Sequence, residues 1–341
     1  MKNIAERYSG IDIAKGIGII MVVWAHAEGP FSRYINHFHM PYFFFISGYL
    51  FRLPENSIYY VKNKTRKLLV PFWKWNYILL IPFWGLYYWG KWDFVILAKY
   101  TIEIALTLNK VPMLGATWFL PSLFFSNIFF LYIFQLLIKY NDKLRDVILG
   151  IIGLIICVWG VSITYPYRIS RTMICFFFYV LGYIYKKYLH NKVNILLVVL
   201  MALIYLLIST YNEVDLGANK YENGLLFVVG AILASISLVN FADYICRLYE
   251  KKRITKYIKS CLKYLGKNSM PIVIWHLVFF RMAIVLQILL YNLPVKILFS
   301  FPIYDGDKGW WFIYIIVGIV GSLMWDKLIN IVSNIGWHKK C

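Results

Sequence analysis

Ten stretches of mostly apolar residues, each bounded by charged or turn-forming segments, follow one another through this chain: 11–28, 37–53, 68–89, 117–138, 146–164, 171–187, 193–211, 221–241, 268–292 and 309–333. Stretches of roughly 17 to 25 such residues are what a helix needs to cross a bilayer, where every backbone N–H and C=O must be bonded within its own segment. The sequence therefore predicts an all-α, polytopic membrane protein with about ten transmembrane helices. Composition agrees, since 61% hydrophobic residues and a mean hydropathy of +0.63 are far from a soluble domain. The stretch 93–108 is apolar but short and broken by Lys99 and Glu103, so it reads as an interfacial or re-entrant helix.

Orientation follows from the loops. With ten spans both termini share one side, and alternate loops differ in charge. The set that includes 62–67, 139–145, 186–192, 247–267 and 339–340 holds more than twice the Lys and Arg of the other. Basic loops stay in the cytoplasm, so both termini are expected there. On the far side Glu28, Asp93, Glu103, Glu213, Asp215, Glu222, Asp305 and Asp307 nearly cancel the few basic residues. The net charge of +20 is thus an inward excess facing anionic lipid, and no nucleic-acid partner is expected.

The first apolar stretch follows a polar start and lacks a small-residue cleavage site, so it is expected to be retained as a span. No internal repeat and no Ser, Gly or Pro linker divides the chain, which predicts one integral-membrane domain over 1–341. Cys157, Cys175, Cys246, Cys261 and Cys341 show neither pairing nor ligand spacing, so no disulfide and no metal site are expected. The many Lys, Ile, Asn and Tyr residues fit an AT-rich bacterial genome, and the expected location of the multi-pass chain is a bacterial plasma membrane.

Ionisable residues inside apolar spans are costly, and their default meaning is functional. The first span holds Lys15 and His26, eleven residues apart, which is about three helical turns and a rise of roughly 16 Å. Both fall on one stripe with Asp12, Ile19 and Val22, and Gly16 and Gly18 let a helix or ligand approach closely. A lysine in the inner half suits an anion arriving from the cytoplasm, and a histidine near the outer end suits proton transfer. The competing reading has Lys15 snorkelling to headgroups and His26 bonded to a carbonyl.

His37 and His39 open the second stretch at a similar height, and for His37 interfacial anchoring explains its place equally well. Trp118 suits a sugar-stacking platform and an aromatic belt alike, and Arg171 suits a functional role and a headgroup contact alike. In the ninth stretch His276 and Arg281 lie too deep to face lipid, although a buried imidazole satisfied by one hydrogen bond also accounts for His276. There is no Walker A loop, no Gly-x-Ser-x-Gly elbow, no His-Glu-x-x-His and no Cys-x-x-Cys, which argues against ATP-driven transport, serine hydrolysis and metalloprotease chemistry.

The stretches DIAKGIGIIMVVWAH (12–26), FHMPYFFFISGYLF (38–51), TWFLPSLF (117–124), FFFYVLGYIYKK (176–187) and GKNSMPIVIWH (266–276) together resemble the acyltransferase 3 family. Its members are integral-membrane O-acetyltransferases of surface carbohydrates, and the resemblance covers essentially the whole chain. The family pattern has an arginine eleven residues before the histidine, whereas this chain has Lys15. Lysine lacks the bidentate fork, so a two-pronged grip on phosphate is not expected there. A branch resembling fucose 4-O-acetylases carries this Asp-x-x-Lys-Gly form.

The resemblance implies acetyl-CoA as cytoplasmic donor and a capsular or cell-surface sugar, or its lipid-linked precursor, as acceptor. It implies that Lys15 and Asp12 meet the CoA chain and that its nucleotide end rests near basic loops containing Arg66 and Lys67. His26 is then the general base or transient acetyl carrier, with His39, Trp118, Arg171, His276 and Arg281 as weaker acceptor or oxyanion candidates. The rival class is a secondary transporter of a glycan or lipid, with Lys15, His26 and His276 as a proton relay. It predicts inverted repeats and broken helices, which the sequence does not show.

Overall fold

The computed structural model describes residues 2–88, 90, 93–190, 192–247, 253–300, 302–306 and 309–338, and most of them are helical. In chain order come α1 (Lys2–His26), α2 (Ser32–Asn36), α3 (His39–Tyr49), α4 (Ser57–Lys64), α5 (Val70–Tyr88), α6 (Phe94–Ala105) and α7 (Phe119–Leu136). They are followed by α8 (Asp142–Ser162), α9 (Ile169–Tyr188), α10 (Ile195–Tyr211), α11 (Gly224–Arg247), α12 (Arg253–Lys267), α13 (Ser269–Tyr291) and α14 (Trp310–His338). A short antiparallel ladder of β1 (Val214–Asp215) and β2 (Lys220–Tyr221) lies between α10 and α11. Lys91, Lys251, Lys252, Asp307, Lys308, Lys339, Lys340 and Cys341 lie outside the described residues.

Helices overlie each of the ten predicted stretches, and the chain is a multi-pass membrane protein. Six described helices are long and apolar enough to cross a bilayer: Ser9–His26, Pro112–Leu136, Asp142–Ser162, Gly224–Arg247, Ser269–Tyr291 and Trp310–Val332. Apolar α10 is shorter, at 17 residues. The stretch 37–53 departs most from expectation, because only the 11 residues of α3 are helical. Pro54 drives Leu53 out of the helical region, and the chain stays non-helical from Phe51 to Asn56. The stretch 93–108 forms α6, started by the Asp93 carboxylate accepting from Val95 N at 2.6 Å and Ile96 N at 3.3 Å.

Packing sorts the chain into two compact units, 1–35 with 241–341, and 36–240. In the first, α1 packs on α12 and α13, and α13 on α14. The α1–α12 crossing is made by two glycines facing each other's backbone. A Cβ at Gly16 would strike the Leu262 carbonyl, and one at Gly266 the Asp12 carbonyl. Small residues at such a crossing let backbones touch, which is how helices associate when lipid offers no hydrophobic drive.

In the second unit α9 packs against α3, α7 and α8. Gly48 on α3 meets the Tyr179 carbonyl and Gly182 on α9 meets the Phe45 carbonyl, a second reciprocal crossing. Asparagine caps start α4, α8 and α10, where Asn56, Asn141 and Asn194 accept from backbone amides three residues on. The start of α8 is tied to the end of α9 by ions. Asp146, 3% exposed, accepts from Lys187 Nζ and Tyr188 Oη, both at 2.7 Å, and from Arg145 Nε at 3.3 Å.

Candidate functional site

Helix α1 is continuous from Lys2 to His26, so the eleven-residue interval carries Lys15 and His26 onto one face about 16 Å apart. Ile19 and Val22, between them on that face, are buried inside the first unit. The stripe is thus turned into protein, and it is packed there rather than open. Lys15 Nζ lies 3.6 Å from Asp12 Oδ1 one turn earlier, with both side chains partly exposed and α12 crossing beside them at Gly16. A carboxylate at that spacing pairs with the ammonium and limits where it reaches.

At the other end of the stripe, α13 brings a second imidazole against the first. Pro271 sits in the first turn of α13, where a proline costs no hydrogen bond, and His276 follows fully buried. The Nε2 of His276 is 3.4 Å from Nδ1 of His26, with ring centroids 5.0 Å apart. Each Nδ1 also meets the carbonyl four residues earlier on its own helix, Val22 O at 2.8 Å and Ile272 O at 2.7 Å. A carbonyl only accepts, so in the neutral pair both Nδ1 atoms carry hydrogen; this assigns the tautomers. His276 then turns a lone pair toward the Nδ1–H of His26, and the basic lone pair of His26 is on Nε2.

Further along α13 the predicted candidate Arg281 donates to the carbonyls of Leu298 and Ser300. It pins the loop after α13. Beside it Gln287 and Tyr314, both buried, hold Tyr304: Gln287 Nε2 donates to its carbonyl at 3.0 Å, and its N–H donates to Tyr314 Oη at 3.1 Å. Nothing in the sequence pattern marks these two residues, because both are uncharged and they lie 27 residues apart on different helices.

The other candidates lie in the second unit. His39 is the first residue of α3 and is buried. The guanidinium of Arg171 lies 5.3 Å from the ring centre of Trp118 and donates to Tyr167 O, so these two form one group. Arg66 and Lys67 are exposed on a π turn, Thr65–Leu69, that joins α4 to α5. Beside them Lys64 stands over the Tyr60 ring at 5.1 Å, and burial together with Lys67 pushes its ammonium down to about 8. Such a cation cluster on irregular backbone has the charge that phosphate binding requires. No group of three or more His, Cys, Asp or Glu side chains with metal-site spacing occurs among the described residues.

A multi-pass helical protein with a basic nitrogen set against a second imidazole within its apolar interior has the parts of a membrane-embedded transferase. The chain belongs to the acyltransferase 3 family, whose Acyltransferase domain (Acyl_transf_3) matches residues 8–325, and it is a membrane acyltransferase. No curated protein and no solved structure matches it.

Proposed function

We propose that this acyltransferase moves an acetyl group from cytoplasmic acetyl-CoA to a hydroxyl of a cell-surface or capsular polysaccharide sugar, or of its lipid-linked precursor, in a bacterial plasma membrane. The Asp-x-x-Lys-Gly form at Asp12 to Gly16 favours the branch that resembles fucose 4-O-acetylases. The observation that carries the reading is the His26–His276 contact within a chain matched by the family over 8–325.

In this reading the sugar hydroxyl oxygen attacks the thioester carbonyl carbon while its proton passes to His26 Nε2. The C–S bond then breaks, and the CoA thiolate leaves with the proton returned by the imidazolium. His276 acts through His26: its lone pair faces the Nδ1–H that gains positive character as the base is protonated. Lys15, steadied by Asp12, meets the CoA arm near the inner end of α1, and Lys64, Arg66 and Lys67 suit the nucleotide phosphates. His39, Trp118 and Arg171 serve the acceptor. Because Ile19 and Val22 are packed, a pantetheine arm following the α1 stripe requires the helices against it to yield.

The test is acetyl transfer by purified protein in lipid nanodiscs, supplied with labelled acetyl-CoA and a matched glycan. Transfer is expected with the native chain and loss of roughly 10²- to 10⁴-fold in His26→Ala, the usual worth of a general base. Undiminished transfer by that variant removes His26 from the mechanism.

A further inference from the structure

The second unit contains a cavity of about 570 Å³ that no step above uses. Apolar side chains of α7, α8 and α9 form most of its wall, among them Phe125, Phe129, Ile156 and Phe176. It opens at the protein surface, since Phe125 and Phe129 are each almost half exposed, and in a membrane protein such apolar exposure faces lipid. The volume lies within the range of ligand pockets.

Polar side chains line it too; two of them leave hydrogen-bonding atoms unused, although the Arg168 guanidinium stands 5.9 Å from the centre of the Phe72 ring. Arg168, 8% exposed, lines the cavity just before the first residue of α9, yet neither of its terminal nitrogens has a hydrogen bond. Ser126, 1% exposed, lines it too, and its hydroxyl is likewise without a hydrogen bond. One turn nearer Arg168, Thr172 Oγ1 donates to Ser122 Oγ at 2.8 Å. Buried polar groups left without partners are rare, and a buried guanidinium more so.

Two further cations stand near. Burial, with Arg168 and Arg171 as neighbours, pushes the Lys110 ammonium down to about 8, and burial beside Arg171 pushes Arg168 down to about 10. The acid that acts on Arg168 is Glu103, which accepts from Asn109 at 2.8 Å and faces Lys99 at 4.0 Å. Lys110, Arg168 and Arg171 outnumber that carboxylate, so this end of the cavity carries net positive charge.

The order of these groups matches a molecule. Arg168 sits at a helix boundary, the level of lipid headgroups; the hydroxyls lie one and two turns deeper; the apolar wall lies beside them. We propose that this groove binds an anionic glycerophospholipid, with its phosphate on Arg168, an ester carbonyl accepting from Ser126, and an acyl chain along Phe125, Phe129, Ile156 and Phe176. A guanidinium and a phosphate make charge-assisted, two-pronged hydrogen bonds, which supplies what Arg168 lacks.

The test is native mass spectrometry and thermal unfolding of the full chain in detergent. Phosphatidylglycerol, phosphatidylcholine of the same chain length and inorganic phosphate are added separately. Phosphatidylglycerol is expected to be retained and to raise the unfolding temperature, with at least about a tenfold preference over phosphatidylcholine. Arg168→Gln should abolish the preference, and Ser126→Leu should weaken binding of both lipids. His26→Ala, which stops the proposed transfer, should keep the preference, so failure of the two readings can be told apart. Equal retention of both lipids, equal stabilisation by inorganic phosphate, or a preference unchanged in Arg168→Gln overturns the proposal.

Discussion

Two imidazoles share one contact, and substitution can separate what each contributes to the proposed transfer. If His276 only orients His26 and supports its charge, His276→Ala should lower kcat by roughly 10- to 100-fold while leaving the KM for either substrate nearly unchanged, as is typical for partners behind a reacting group. Steady-state acetyl transfer measures both. At the inner end, Lys15→Met should raise the KM for acetyl-CoA by about tenfold, whereas Lys15→Arg should retain near-native KM because Asp12 can still pair with it. Lys15 and His26 were legible in the sequence, since a cation and an imidazole stand out within an apolar helix. Their surroundings were not. His276 lies 250 residues from His26, and spacing cannot pair groups on different helices. Arg168 looked like any charged loop residue, because whether a guanidinium is buried is decided by what folds over it.

At the scale of elements, the two glycine crossings and the ionic clasp hold the packing most directly. Gly48→Leu forces a side chain into the Tyr179 carbonyl, and Gly16→Leu does the same at Leu262. Each should cost at least about 1 to 3 kcal/mol and lower the unfolding temperature in detergent, with no relief from added lipid. Asp146→Ala removes the buried carboxylate and leaves Arg145 and Lys187 sharing Asp142 alone, which should cost about 1 to 3 kcal/mol, whereas Asp142→Ala, at the exposed partner, should lower the unfolding temperature less. Helix positions were largely readable from apolar stretches, because the bilayer leaves the backbone few choices. Helix length was less so. The apolar run through Phe51 hid the end of α3, and only Pro54 signalled it.

At the scale of the molecule, charge asymmetry gives an orientation that one natural cysteine can test. Cys261 is exposed on α12, among the basic residues expected in the cytoplasm, while Cys157 and Cys175 are buried. A membrane-impermeant maleimide should label native protein in inside-out vesicles far more than in intact cells, and Cys261→Ser should remove most of that signal. Strong labelling of Cys261 in intact cells would invert the topology. The family match and the helical architecture were both foreshadowed by the residues, whereas the division of packing into two units was not, since no linker marks it.

The brevity of α3 reaches furthest. Lys186, near the end of α9, donates to the Phe51 carbonyl just beyond α3, so the two helices finish level. Eleven residues then climb about 16 Å beside a neighbour of about 30 Å, so α3 starts short of the Ile169 end of α9. His39 is buried there, so an acceptor that meets this imidazole has to reach into the protein, which a slender end does more readily than the middle of a long chain. A short oligosaccharide or a single lipid-borne unit should therefore accept acetyl groups faster than the interior of a finished polymer, and equal rates on the two would take His39 out of acceptor binding.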